Sequence, residues 1–305
     1  MTAVTVDAEG LDHGAVWHYG DPLREQRRLD DGVGYVDLSH HPVVRVGGPD
    51  RLTWLHSITS QHLTELRPHT WTEALVLSPN GHVEHHLALV DDGEAVRAVV
   101  EPGTAEALVE YLQRMTFWSD VDLADVSDTW AVLWRPGPHG MDGDDHLELV
   151  ERTRLDEYRV EAGDPAGVWA HEALRVAAGR PRLGLETDHR TIPHEVGWIG
   201  PAVHLDKGCY RGQETVARVQ NLGRPPRRLV RLHLDGSTNV LPEHAARVLL
   251  DGRAVGFVGT AAQHYELGPI ALALVKRNVP TDATLSVEVG DAEPVSAAQD
   301  VIVEA

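Results

Sequence analysis

The stretch Lys207-Gly208-Cys209-Tyr210-Arg211-Gly212-Gln213-Glu214-Thr215-Val216-Ala217-Arg218 holds the only cysteine among 305 residues. Gly208 precedes the thiol and Gly212 follows it by three, so side-chain crowding is low and another molecule could approach the sulfur. Lys207 and Arg211 each stand two residues from Cys209, and an extended segment would put all three side chains on one face. Two cations beside a thiol favour the thiolate, which points to Cys209 as a nucleophile or redox group activated by Lys207 and Arg211. The alternative reading is a structural cysteine in a turn. One cysteine makes no internal disulfide and by itself no zinc or iron–sulfur site.

Outward from this stretch, the charge is uneven. The chain carries 27 Lys and Arg against 47 Asp and Glu, a formal net charge of −20. Such a balance excludes a general nucleic-acid binder, which needs a basic surface. Yet Lys207, Arg211, Arg218, Arg224, Arg227, Arg228 and Arg231 cluster within 25 residues with Glu214 as the one acid among them, a basic mouth for a small anion. With 42 % hydrophobic and 24 % charged residues the composition is that of a globular protein. No apolar run is long enough to span a membrane. Met1 to Gly10 lacks the pattern of a secretory signal. The chain reads as a cytoplasmic, soluble protein. Neither a heptad nor a long apolar edge asks for an obligate oligomer, so a monomer is expected.

Periodicity and turn residues supply the elements. Tyr35 to Val46 reads as two short strands, and Arg51 to Thr59 as a helix carrying Leu52, Leu55 and Ile58. Three strands follow, at 74–77, 83–90 and 95–100, separated by Ser78-Pro79-Asn80-Gly81 and Asp91-Asp92-Gly93, which are hairpin signals. Thr104 opens a helix to Arg114 with Leu108, Leu112 and Met115 on one face. Trp130 to Trp134 reads as a strand, 135–145 as a surface connection, and Glu172 to Ala178 as a helix closed by Gly179 and Pro181. Pro225-Pro226 marks a hinge. The short strands beyond it predict a small C-terminal β-barrel or sandwich.

The string from Lys207 to Arg218 resembles the signature of the YgfZ family, folate-binding proteins related to the aminomethyltransferase (T-protein) of the glycine cleavage system. The similarity extends to Gly34-Tyr35-Val36-Asp37-Leu38-Ser39-His40, to Ala173–Gly179, to Ile192-Pro193-His194-Glu195-Val196-Gly197-Trp198, and to Gly256–Thr260 with Gly268–Ala271. It implies an α+β protein shaped as an aminomethyltransferase-like ring of three domains. These are a discontinuous folate-binding domain (1–50 and 120–222), an inserted α+β domain (51–119) and a C-terminal β-barrel (223–305). It also implies tetrahydrofolate, or a folate derivative, as cofactor. Glu195 matches the glutamate that accepts the pterin's donors, a role that a carboxylate fills bidentately. Arg218, Arg224, Arg227 and Arg228 are the candidates for the anionic glutamate tail, which the planar guanidinium suits.

One departure stands out. Where aminomethyltransferases carry paired aspartates, Asn80-Gly81-His82-Val83-Glu84-His85-His86 places Glu84 and His85, which changes both reach and pKa. His82, Glu84 and His86 would also share a strand face, a weak metal pattern, and no metal is assigned. The resemblance therefore implies a tetrahydrofolate-binding accessory protein that supports iron–sulfur cluster assembly or repair. Through iron–sulfur client enzymes it would affect tRNA modification without touching nucleic acid. A folate-dependent one-carbon transferase and a non-catalytic folate-binding module are the alternatives.

Overall fold

The computed structural model describes residues 2–137, 146–238 and 240–304. Most of the connection read at 135–145 lies outside the described residues. The fold is α+β, with two open sheets and a closed six-stranded C-terminal barrel.

The N-terminal part begins with the ribbon β1 (Val4–Thr5) and β2 (Val16–His18), then α1 (Pro22–Asp30), β3 (Tyr35–Asp37) and β4 (Val43–Gly47). Helix α2 (Arg51–Ile58) leads into the meander β5 (Trp71–Leu77), β6 (Val83–Asp91) and β7 (Ala95–Val100), followed by α3 (Ala105–Arg114) and β8 (Asp122–Asp125). These strands form a five-stranded sheet in the order β5-β6-β7-β4-β8, so the sheet covered by α2 and α3 takes in strands on both sides of 51–119. A second sheet joins β3 to β9 (Trp130–Arg135), β10 (His146–Glu151) and, after α4 (Leu155–Ala162), to β11 (Pro165–Ala166), in the order β10-β9-β3-β11. Helix α5 (Val168–Ala177) packs on α1 and on the barrel.

Alternation decides which face of the five-stranded sheet meets what. Ala74 and Val76 of β5, Leu87 and Leu89 of β6, and Val96 and Ala98 of β7 lie in one core with Trp54, Leu55, Leu108 and Leu112 of the two helices. The opposite face of β6 carries Glu84, His86 and Ala88, which a strand of period two must present together. This second face looks toward the β3–β9 sheet.

The signature stretch is half loop and half helix. Lys207 to Gly212 forms an irregular loop, and α6 (Gln213–Leu222) begins immediately after Gly212. From there the chain crosses Pro225-Pro226 into the barrel strands β12 (Arg227–Leu234), β13 (Arg247–Leu250), β14 (Arg253–His264), β15 (Gly268–Lys276), β16 (Leu285–Val287) and β17 (Val295–Val301), closed in the order β12-β15-β14-β13-β16-β17. Inward Val230, Leu232, Val248, Val258, Ala273 and Val275 fill it.

Gly212 adopts φ +85°, and a Cβ there would stand 2.6 Å from the carbonyl oxygen of Ser78 in the β5–β6 turn. Both conditions select glycine. Gly212→Ala is expected to destabilise the chain by about 1–3 kcal/mol, from a left-handed backbone plus a contact with backbone that cannot yield. A denaturant midpoint unchanged from that of the parent would refute this.

Candidate functional site

Between the two sheets lies a cavity of about 460 Å³. Its walls come from segments far apart in the chain: Trp71, Glu73, His86 and Ala88 from the meander, Glu101 after β7, His41 and Trp134 from the β3–β9 side, His171 and Arg175 from α5, and Arg180 and Arg182 from the loop beyond. Its size and its mixture of aromatic walls with a few convergent polar groups are those of a small-molecule site.

The floor is a buried ionic network. Arg182 reaches Asp12 with Nη2–Oδ1 at 2.9 Å and Nη1–Oδ2 at 3.1 Å, Glu101 at 2.9 Å and Glu172 at 3.0 Å. Arg175 grips Glu172 at 2.7 Å and Glu186 at 3.0 Å, and donates to Thr260 Oγ1 at 2.7 Å. Burial alone would raise Glu172 and Glu101, but the adjacent guanidinium groups outweigh it, holding Glu101 below its ordinary value and Glu172 well below. His40 Nε2 lies 3.0 Å from Asp12 Oδ1, and Asp12, His40 and His41 have ligand atoms within 4.8 Å of one another. A cation placed there would face the Arg182 guanidinium, which already holds both Asp12 oxygens.

Three imidazoles face the cavity. His41 Nδ1 lies 3.2 Å from the Val100 carbonyl, and burial pushes its pKa down to about 4, so the ring is neutral. His171 packs edge-on to Trp134, centroids 4.9 Å apart. His86 lies flat on Trp198, with centroids 4.7 Å apart and planes 8° from parallel, and its Nε2 meets Glu73 Oε2 at 2.8 Å. In the β5–β6 register Glu73 stands opposite Ala88, so His86 is its diagonal neighbour on the same face.

The residues singled out in the sequence lie elsewhere. The loop does not hold Lys207, Cys209 and Arg211 on one extended face. Lys207 is buried, and its Nζ donates to the carbonyls of His56 and Thr59 at the end of α2. Arg211 donates to Glu84 at 3.0 and 3.4 Å and stacks over the Tyr111 ring. Cys209 is exposed on this anchored loop, between buried Lys207 and buried Tyr210. Glu195 is fully buried, outside the cavity lining, with Arg227 Nε and Nη2 each at 2.8 Å and the Ile192 N–H at 3.1 Å. Arg227 also holds Asp188 at 2.6 Å. Arg228 is buried against the carbonyls of Arg277 and Val279. Arg218 and Arg224 are exposed. Glu84 and His86 share a face but have separate partners, while His85 turns to the buried side. Glu73, Glu101 and Arg182 carry no local motif, and the cavity they build escapes a reading along the chain.

Burial pushes Lys207 down to about 8 from 10.5. Between these values the unfolded chain holds a proton that the folded chain has shed, so stability rises with pH across that window. Lys207→Met is expected to remove this rise, measured as the slope of unfolding free energy against pH; an unchanged slope would count against it.

Residues 3–143 match the GCVT N-terminal domain, and residues 227–301 the glycine cleavage T-protein C-terminal barrel domain. An aminomethyltransferase of Geobacillus kaustophilus is 34 % identical over 308 residues, covering 84 % of this chain and 82 % of that protein. The chain belongs to the glycine cleavage T-protein family. A putative chloroplastic transferase of Arabidopsis thaliana, At1g60990, is 25 % identical over 273 residues, 75 % of this chain and 61 % of the relative. The fold matches the crystal structure of the glycine cleavage system aminomethyltransferase T from Bartonella henselae with a TM-score of 0.81 at 17 % identity, covering 98 % of this chain and 92 % of that one. Tetrahydrofolate is the cofactor of the T-protein family. The cavity suits such a group: aromatic walls for a planar ring, and carboxylates and imidazoles for its polar edge. Among the described residues no helix is long and apolar enough to cross a membrane.

Proposed function

We propose that this T-protein family member is a YgfZ-type accessory protein, which holds tetrahydrofolate between its sheets and serves iron–sulfur client enzymes, among them enzymes that modify tRNA. The observation that carries the folate reading is the cavity itself. Trp71 and Trp134 would flank the ring, and Glu73 and Glu101 would accept from its amide and amino groups. When bound, tetrahydrofolate supplies the nitrogens that carry a one-carbon unit. Exposed Arg218 and Arg224 are free of the contacts that occupy Arg227 and Arg228, and they are the residues proposed to meet the anionic tail. A pterin role for Glu195 would require Arg227 to give way.

The accessory role is supported by the mounting of Cys209. Its thiol is exposed, while Lys207 and Tyr210 on either side are buried, so a macromolecular client can reach the sulfur on a fixed loop. In cells lacking the native protein, Cys209→Ala is expected to fail to restore iron–sulfur enzyme activity; full rescue would end the role given to the thiol.

A second reading, a folate-dependent aminomethyl transferase, is favoured by the 34 % identical aminomethyltransferase. Against it, Glu84 is tied to Arg211 and His85 turns away from the cavity. Incubation with tetrahydrofolate and an aminomethyl-lipoyl carrier protein decides between the readings. The accessory role predicts no methylenetetrahydrofolate.

A further inference from the structure

Strand β10 is the outer strand of its sheet and pairs with β9 alone. The hydrogen bonds of β9 tell which groups of β10 are left over. The Val132 carbonyl accepts from Leu38 N–H at 2.9 Å, and the Val132 N–H donates to Ser39 Oγ at 3.2 Å, so both polar groups of Val132 point away from β10. Leu149 stands opposite Val132, in a pair whose members exchange no hydrogen bond. By alternation Leu147, Leu149 and Glu151 turn their N–H and C=O groups to the outer edge, while Glu148 and Val150 bond to β9. Among the described residues these outward groups have no partner.

A groove of about 610 Å³ runs along this edge. Consecutive residues from Leu147 to Glu151 line it, so it follows the edge of the strand and not one face. Leu147 and Leu149 pack with Trp71 and Trp130 on the meander side, and Val150 packs with Tyr158 of α4 on the other. The cations of the groove are already occupied. Arg97 lies over the Trp130 ring at 4.3 Å and is paired with Asp92, and Arg154 meets Glu157 at 3.2 Å. Glu148 accepts from the Tyr158 hydroxyl at 2.7 Å, and Glu148, Glu151 and Glu161 have no cation within ion-pairing distance among the described residues. Pairing β10 with β10 of a second copy would set these carboxylates against each other, and like charges across a strand pair repel. A basic strand has the opposite balance.

We propose that the free edge of β10 is a docking site for an extended basic peptide segment of a partner protein, which joins the sheet as a further strand beside β10. The N–H and C=O groups of Leu147, Leu149 and Glu151 bond its backbone along about 17 Å of strand. Its side chains alternate, apolar ones toward Trp71, Leu147 and Leu149 and Lys or Arg toward Glu148 and Glu161. Trp71 and Leu147 also line the cavity between the sheets, so the docked strand lies against one of its walls. Docking on the edge is independent of what that cavity holds.

The probe is the end-capped peptide Lys-Val-Arg-Val-Lys-Val, titrated into the full chain and followed by NMR and amide hydrogen exchange. The amides of Leu147, Leu149 and Glu151 are expected to exchange at least about tenfold more slowly when the peptide is bound, while those of Glu148 and Val150 are slow throughout. The same peptide with Glu in place of each Lys and Arg should bind at least about tenfold more weakly. Glu151 has φ −57° and ψ 130°, angles open to proline, and its N–H lies on the free edge, so Glu151→Pro removes an edge donor and leaves the β9 ladder whole. Glu151→Pro is expected to weaken binding about tenfold, or about 1.4 kcal/mol. Glu151→Gln, which loses the charge and keeps the N–H, should weaken it no more than about threefold. No binding, binding that leaves Leu147 and Leu149 unprotected, equal binding of the acidic peptide, or equal losses from Pro and Gln overturns the proposal. Protection of the same amides without peptide, rising with protein concentration, assigns the edge to a second copy and overturns it too.

Discussion

Arg182→Leu is expected to lower the stability of the folded chain by about 3–5 kcal/mol, the cost of breaking a buried ion pair from one side. Arg182 is 8 % exposed and holds Asp12, Glu101 and Glu172 together. Leucine fills much of the volume but leaves these carboxylates in a buried site with fewer cations. Asp12, Glu101 and Glu172 are all held below their ordinary values in the folded state. A depressed carboxylate contributes stability above its unfolded pKa and loses it as the pH falls through the folded value. The parent should therefore weaken in acid below about pH 4, and the Leu variant should show a shallower dependence there. Urea unfolding across this range measures both effects. A variant with the stability and acid slope of the parent would show that the network is not what joins the N-terminal ribbon, the meander and α5.

Trp198→Ala is the second large effect. Trp198 is 4 % exposed in a core with Leu75, Leu77, Val83, Tyr210 and Val216, the layer beneath the signature loop. Truncating a buried tryptophan costs about 3–5 kcal/mol through lost burial and the space left behind. It also removes the surface against which His86 lies. Trp198→Phe retains a ring and should recover most of the stability and the orientation of His86. Equal losses from Ala and Phe, read by thermal unfolding and by the His86 NMR signals, would show that the stack has no positioning role.

Much of this architecture is legible in the residues. The Asn80-Gly81 and Asp92-Gly93 turns mark the meander and Thr104 marks α3, because each signal is local. Helix α1 carries an equally local start in Asp21, which accepts from Arg24 N–H at 3.0 Å, followed by Pro22. It escapes the periodicity reading because its buried face includes Glu25 and Gln26. Their partners are distant: Gly167 N–H for Glu25, and Gln263 and Tyr265 in the barrel for Gln26. The extended geometry that the spacing of the signature string suggests is not the one the loop adopts. Lys207 faces backbone carbonyls of α2 and not the thiol, because a buried ammonium needs acceptors and the helix end offers them. The cavity was invisible for a different reason. Glu73, His86, Glu101 and Arg182 have no common spacing, and only the packing of the two sheets brings them together.

The central claim, that the space between the sheets is the folate site, is tested most directly by filling it. Ala88 lies on the cavity face of β6, so Ala88→Phe adds a ring to that space while leaving Cys209 and the signature loop untouched. Calorimetric titration with tetrahydrofolate should show binding to the parent and to Cys209→Ala, and at least a tenfold loss in a folded Ala88→Phe, or about 1.4 kcal/mol. Undiminished binding to Ala88→Phe, or none to the parent, would contradict the account.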